Sequence, residues 1–153
     1  MNKLKIIAIL IMVLSIQSLS AQENESYYFS KTIEGSFEEV TQKTIAELKK
    51  QGFGIITEID MDVKLKEKLN DVDLRPYKIL GACNPGFAYK TIKAEENIGL
   101  FLPCKILIKD SGNGKIEVVM VNPLVLMATL KNTELIEIAK EVADRFKIAL
   151  KNI

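Results

Sequence analysis

The chain contains no histidine and no tryptophan, and has only two cysteines and four prolines among 153 residues. Without histidine there is no Ser-His-Asp or Cys-His nucleophile and no imidazole metal ligand, so the commonest hydrolase and metalloenzyme designs are excluded. Any catalysis has to come from Cys, Asp, Glu, Lys or Tyr. Two thiols cannot complete a four-thiolate zinc or iron–sulfur site within one chain, and neither stands in a CxxC pair. A dominant charge is missing as well, since 21 Lys and Arg face 20 Asp and Glu for a net charge of +1. A near-neutral chain lacks the basic patches that nucleic acid requires. In Lys64-Leu65-Lys66-Glu67-Lys68 an acid interleaves with the lysines, which reads as a solvated helix face. No repeat, low-complexity stretch or Gly-rich phosphate loop is present, and Gly112-Asn113-Gly114 reads as a hairpin turn.

At the start of the chain, Lys3 and Lys5 lead into an apolar run over 6–16, followed by the small residues Ser18, Ser20 and Ala21. This is the pattern of a secretory signal peptide. The run is little more than half the ~20 residues a membrane-spanning helix needs. The expectation is a leader over 1–21 cleaved after Ser20 or Ala21, a short tail over 22–26, and a single domain over 27–153. Such a protein is exported, periplasmic or secreted. It keeps no stable membrane anchor after cleavage, and no cysteine is placed to carry a lipid. The remaining length suits one domain with a real core.

Along that domain, 27–33 reads as a strand. Ser36-Phe37-Glu38-Glu39 is a capping box, in which the Ser hydroxyl takes the Glu39 amide and the carboxylate reaches back. Phe37, Val40, Thr44 and Leu48 share one face of the helix that follows, and Gly52 suits its end. A second strand is expected over 53–59. Asp60 and Asp62 are placed to cap a short helix running to about Asn70. Pro76 opens a strand through Cys83. Asn84-Pro85 then starts a helix, Asn as cap and Pro at the first position, with Phe87, Ala88, Thr91 and Ile92 facing inward. Strands over 99–109 and 115–121 flank the turn Asp110-Ser111-Gly112-Asn113-Gly114. Asn122-Pro123 breaks the last strand, and the apolar run 124–130 is ambiguous between loop, short helix and edge segment. Asn132 caps a C-terminal helix striped by Leu135, Ile138, Ala139, Val142, Phe146 and Leu150. The fold class is α+β, a mostly antiparallel sheet of about five strands with two longer helices on one face and short helices beside them.

In the strand expected over 99–109, Leu100, Leu102, Ile106 and Ile108 alternate with Phe101, Pro103 and Leu107, so both faces are apolar. The two long helices cover one face of the sheet. A second copy of the chain is the economical cover for the other, since closed two-fold dimers are the commonest assemblies, and an internal apolar ligand pocket is the alternative.

The two cysteines stand beside prolines, in Gly81-Ala82-Cys83-Asn84-Pro85 and Leu102-Pro103-Cys104. One reading makes both small buried apolar residues in tight helix–strand packing. Export also permits a disulfide, which would add about 3 kcal/mol if the Cα atoms came within about 7 Å. A functional reading puts Cys83 at a helix start, where free amides and the helix dipole favour a thiolate, with Cys104 as resolving thiol or second ligand. The other candidates are weaker. Asp60/Asp62 read as caps, Glu95/Glu96 as a solvated helix end, and Tyr27 and Tyr28 as packing on the sheet.

The order of motifs is also similar to a known family. Arg75-Pro76-Tyr77-Lys78-Ile79-Leu80-Gly81-Ala82-Cys83-Asn84-Pro85, then Ala88, then Gly99-Leu100-Phe101-Leu102-Pro103-Cys104, then the Asn-Pro after the hairpin, resembles domain-of-unknown-function family 302 over about 28–150. The resemblance implies a curved antiparallel sheet backed by two longer helices, related in topology to the TATA-binding-protein fold, and makes a dimer plausible. It implies no DNA binding, because fold does not carry function. It supplies no catalytic residue, and only the two cysteine motifs carry over. This chain departs from the pattern at Lys105, where Asn often follows the second cysteine, and at Gly86-Phe87, where a polar residue often starts the helix. Lys105 is placed to lower a nearby thiol pKa, and Gly86 to loosen the helix start.

The leading expectation is a non-catalytic, homodimeric accessory or small-ligand-binding domain without a cofactor, its site formed by Cys83, Asn84, Pro85, Pro103 and Cys104. The alternative is a thiol-dependent redox or soft-metal protein using Cys83 and Cys104, for which copper(I) is the metal that suits a two-thiolate site.

Overall fold

The structure is a computed structural model, and it describes residues 26–153. The expected leader over 1–21 lies outside the described residues, as do 22–25 of the tail. Among the described residues no helix is long and apolar enough to cross a membrane.

The elements run β1 (Tyr28–Glu34), α1 (Phe37–Lys50), β2 (Gly54–Asp60), α2 (Met61–Lys66), β3 (Tyr77–Cys83), α3 (Pro85–Ala94), a 3-10 helix (Glu96–Phe101), β4 (Cys104–Gly112), β5 (Lys115–Val121), α4 (Pro123–Ala128) and α5 (Thr133–Asn152). The five strands form one antiparallel sheet in the order β1-β5-β4-β3-β2. The α+β expectation is borne out.

Side chains alternate across the sheet, so Leu80, Ala82, Ile106, Ile108, Val118 and Met120 point to one face and are buried there. The two long helices close over that face. Val40 and Leu48 of α1 meet Val142, Phe146, Ala149 and Leu150 of α5 in the same core. Phe146 is fully buried, and its ring lies 4.8 Å from that of Phe53.

The helix starts follow from local chemistry. In the capping box the Ser36 hydroxyl accepts from the Glu39 amide at 3.3 Å, and the Glu39 carboxylate accepts from the Ser36 amide at 3.2 Å. The hydrogen bonds from Ser36 hold the Glu39 carboxyl below its usual range. Three asparagines then cap helices with Oδ1 while Nδ2 donates to a carbonyl elsewhere in the fold. Asn84 caps Phe87 of α3 and donates to Gly52 at 2.9 Å. Asn122 caps Leu124 of α4 and donates to Ser26 at 2.9 Å. Asn132 caps α5 and donates to Ala94 at 3.2 Å. Between β4 and β5, Asn113 and Gly114 both take positive φ, 55° and 70°, as a two-residue type I′ turn demands.

Several sequence expectations are corrected. The strand expected over 99–109 begins only at Cys104, because residues 96–101 wind into the 3-10 helix. Leu100 is consequently 87% exposed instead of facing a sheet layer. Ile92 is 48% exposed and turns away from the core, since α3 only half-buries one side, through Phe87, Ala88, Thr91 and Ala94. The short helix α2 stops at Lys66, well before Asn70, and neither aspartate caps it by a side-chain hydrogen bond. Asp62 instead accepts from the Tyr77 amide at 3.2 Å, and Asp60 pairs with Lys78 at 2.8 Å, raising the Lys78 pKa. Tyr27 is 66% exposed and meets Tyr28 edge-on rather than packing on the sheet. The run over 124–130 resolves into α4 and the turn after it.

Asn122 is 1% exposed, so replacing its donor has a cost that water cannot relieve. Asn122→Asp keeps the cap acceptor but sets a carboxylate against the Ser26 carbonyl. It should destabilise the domain by about 2 kcal/mol, read as a lower denaturant midpoint with an unchanged slope.

Candidate apolar ligand site

At the end of the sheet where β3 stops and β4 starts, the helices do not close fully, and a cavity of about 290 Å³ remains. Ala82, Cys104 and Val121 line it from the strands. Phe87, Ala88 and Thr91 line it from α3, with Ile98, Leu100 and Phe101 from the 3-10 helix. Leu126 and Met127 of α4, and Leu135, Ile138, Ala139 and Val142 of α5, complete the wall. The exposed side chains of Leu100 and Phe101 bring this wall to the molecular surface.

The two cysteine motifs meet here for a steric reason. The β3–β4 register pairs Ala82 with Cys104 and Gly81 with Lys105. A Cβ at Gly81 would stand 2.6 Å from Cγ of Pro103 and would also strike the Thr57 hydroxyl. Only glycine lets the Pro103 ring settle on β3, and with it the start of β4. The Leu102–Pro103 peptide bond is cis.

Of the residues expected to form a site, Cys83, Asn84 and Cys104 line the cavity, whereas Pro85 and Pro103 do not. Pro85 occupies the exposed first turn of α3, and Pro103 covers Gly81. Both cysteines are free and half-buried. Burial, followed by the charge of the neighbouring Cys83, pushes the Cys104 thiol up to about 11 from an ordinary 9.0. Lys105 lowers it, as its position led one to expect, but is outweighed by burial and by Cys83. The thiolate is the nucleophile and the metal ligand, so a protonated Cys104 is poorly suited to either task at neutral pH. Among the described residues, no three His, Cys, Asp or Glu side chains converge as metal ligands.

Polar groups at the cavity are mostly committed elsewhere. Asn84 spends both ends of its amide on Gly52 and Phe87. The Thr91 hydroxyl donates to the Ala88 carbonyl at 2.9 Å. Phe87 is held from outside by Arg145, whose guanidinium lies 5.0 Å from the ring centroid. The same arginine donates to the Gln51 carbonyl at 3.1 Å and pairs with Glu141 at 2.7 Å, so one cation steadies a cavity wall, the end of α1 and the face of α5.

Residues 29–153 match the model of the family described as Domain of unknown function DUF302. The chain belongs to the DUF302 family. The fold of this DUF302 domain is shared by the crystal structure of an uncharacterized conserved DUF302 protein from Bacillus stearothermophilus. The two chains align with a TM-score of 0.76 at 28% identity, over 82% of this chain and 97% of the other. No curated protein matches the chain. The cavity lining of the DUF302 domain was only partly foreshadowed by the motifs. The contributions of α4 and of Leu135, Ile138 and Ala139 had as their signal only the apolar run over 124–130 and the stripe of the last helix.

The raised Cys104 pKa has a direct consequence for alkylation. Iodoacetamide labelling of Cys104 in the parent chain, read apart from Cys83 by peptide mass spectrometry, should proceed at a rate that still climbs between pH 9 and about 11 rather than levelling near 9. The preference for the neutral thiol stabilises the fold at neutral pH and is lost as pH rises through that same interval.

Proposed function

We propose that this DUF302 domain is a non-catalytic binding domain whose ligand is a small, largely apolar molecule held in the cavity between the sheet end and α3, α4 and α5. The observation that carries this reading is the cavity itself, about 290 Å³ in volume and lined mainly by aliphatic and aromatic side chains. An apolar cavity of about 150 Å³ is enough to hold benzene, so this one suits a ligand roughly twice that size. The raised pKa of Cys104 weighs against the competing reading as a thiol-dependent redox or copper(I)-handling protein. In this reading the domain works after export, as the leader expected over 1–21 implies.

Filling the cavity tests the proposal. Toluene and 1-hexanol should shift the NMR signals of Ala82, Leu135 and Ile138 in a saturable way. Ala88→Leu, which pushes added carbons into the space, should weaken both by at least about tenfold while the domain stays folded. Saturable binding that is indifferent to Ala88→Leu would place the ligand elsewhere, and no binding at all would end the proposal.

The face of the sheet opposite α1 and α5 supports homodimerisation as part of the same reading. Ile59, Ile79, Leu107 and Val119 fall in register across four neighbouring strands, a continuous aliphatic row. With Leu100, Phe101 and Leu102 removed from β4, this row alone carries the dimer argument. Sedimentation at micromolar concentration should show a dimer for the parent chain and a monomer for Leu107→Glu. A monomeric parent would remove the dimer and leave the cavity reading intact.

A further inference from the structure

We infer that the outer sides of α3 and the 3-10 helix form a docking surface for a lipid bilayer at the rim of the cavity. The docking stands on the side chains of that surface; that it gives the cavity's ligand a route in rests on the binding reading above.

Both elements carry apolar side chains on two sides. Ala88 of α3 and Ile98 of the 3-10 helix line the cavity. Ile92 stands one turn beyond Ala88, and Tyr89 stands three residues before Ile92, so these neighbours on the helix surface lead outward from the cavity wall, and both are exposed. Leu100 and Phe101 line the cavity and are exposed as well, Leu100 more than any other large apolar side chain among the described residues. The apolar lining thus continues over the rim and onto the outer surface. Exposed apolar residues scattered singly are ordinary, whereas several grouped around one opening mark an interaction site.

The residues between these apolar groups select the partner. Lys90 and Lys93 are exposed and alternate along α3 with Tyr89 and Ile92, and among the described residues neither lies within 4.0 Å of an acidic oxygen. The core of a protein–protein interface is depleted of lysine. A bilayer surface favours the same pattern, because lysine stems lie along apolar surface while their ammonium groups reach anionic headgroups, and a tyrosine ring settles at headgroup level. The acids of this stretch follow the helix instead of interleaving with it. The Glu95 carboxylate accepts from the Asn97 amide at 3.2 Å, and Glu96 is exposed beyond the last lysine. Because Glu95 and Glu96 offset part of the lysine charge, electrostatic attraction is secondary and insertion of Tyr89, Ile92, Leu100 and Phe101 supplies most of the affinity. Among the described residues no helix is long and apolar enough to cross the bilayer, so the attachment is peripheral and reversible. Seated this way, the cavity opens toward acyl chains, the phase in which an apolar ligand is most concentrated.

The chain has no tryptophan, so a single introduced one reports its own surroundings. In Leu100→Trp, vesicles of phosphatidylcholine and phosphatidylglycerol should shift the emission to the blue, and brominated acyl chains should quench it. Ile148→Trp, at an exposed apolar position of α5 outside the cavity lining, should show neither change, which separates docking by the rim from attachment through any other part of the chain. Ile92→Glu, placed at an exposed position that the fold tolerates, should weaken the partitioning read at position 100 by at least about tenfold. Lys90→Gln combined with Lys93→Gln should weaken it about fivefold on the mixed vesicles and leave it unchanged on phosphatidylcholine alone. An unmoved emission at position 100, equal shifts at positions 100 and 148, or indifference to Ile92→Glu would each overturn the docking surface. Indifference of the mixed vesicles to the paired lysine change would overturn the role given to Lys90 and Lys93. Each of these outcomes leaves the cavity reading standing, because toluene and 1-hexanol test it without vesicles.

Discussion

The amide of Asn84 faces two ways, and the arrangement of the whole domain follows from that division. Its oxygen ends the search of α3 for a first hydrogen bond, and its nitrogen ties that helix start to the turn between α1 and β2. Asn122 does the same for α4 and the segment before β1, and Asn132 for α5 and the end of α3. An aspartate, serine or threonine would cap as well but would not donate to a second carbonyl in the same way. Each helix start is thus a joint between elements distant in sequence, and the joints hold the short helices away from the sheet end at a fixed spacing. The cavity is the space those joints leave.

A second constraint is steric. Gly81 lies under the Pro103 ring, so the glycine of one cysteine motif and the proline of the other are two halves of one contact. Cys83 and Cys104 neighbour that contact, and this is a structural reason for them to travel with it. The motif pair is explained by backbone approach between β3 and β4 before any thiol chemistry is invoked. The raised pKa of Cys104 follows from the same closeness of packing.

Legibility from the sequence tracks how local each interaction is. The capping box at Ser36, the Asn-Pro helix starts and the stripe of α5 could all be read, because each involves residues within a turn or two of one another. The misreadings occur where short-range pattern is ambiguous or tertiary partners intervene. Gly99-Leu100-Phe101-Leu102 is apolar enough for a buried strand, and periodicity over so few residues does not separate a strand from a tight helical turn. Asp62 was a reasonable cap until the Tyr77 amide, fifteen positions away, took its carboxylate. The cavity was hidden for a related reason. Its walls come from Phe53 through Val142, and an unfilled volume depends on how those distant surfaces fail to meet.

The cavity walls are unequal in kind. The floor belongs to central strands knitted on both sides into the sheet, whereas much of the wall opposite is carried by α3, the 3-10 helix and α4, each ten residues or shorter. Short elements of this kind open at a lower free-energy cost than the sheet beneath them. Access to the cavity is therefore governed by breathing of one rim rather than by loosening of the fold. The ease of that opening can then change through residues at the helix starts without altering the cavity floor.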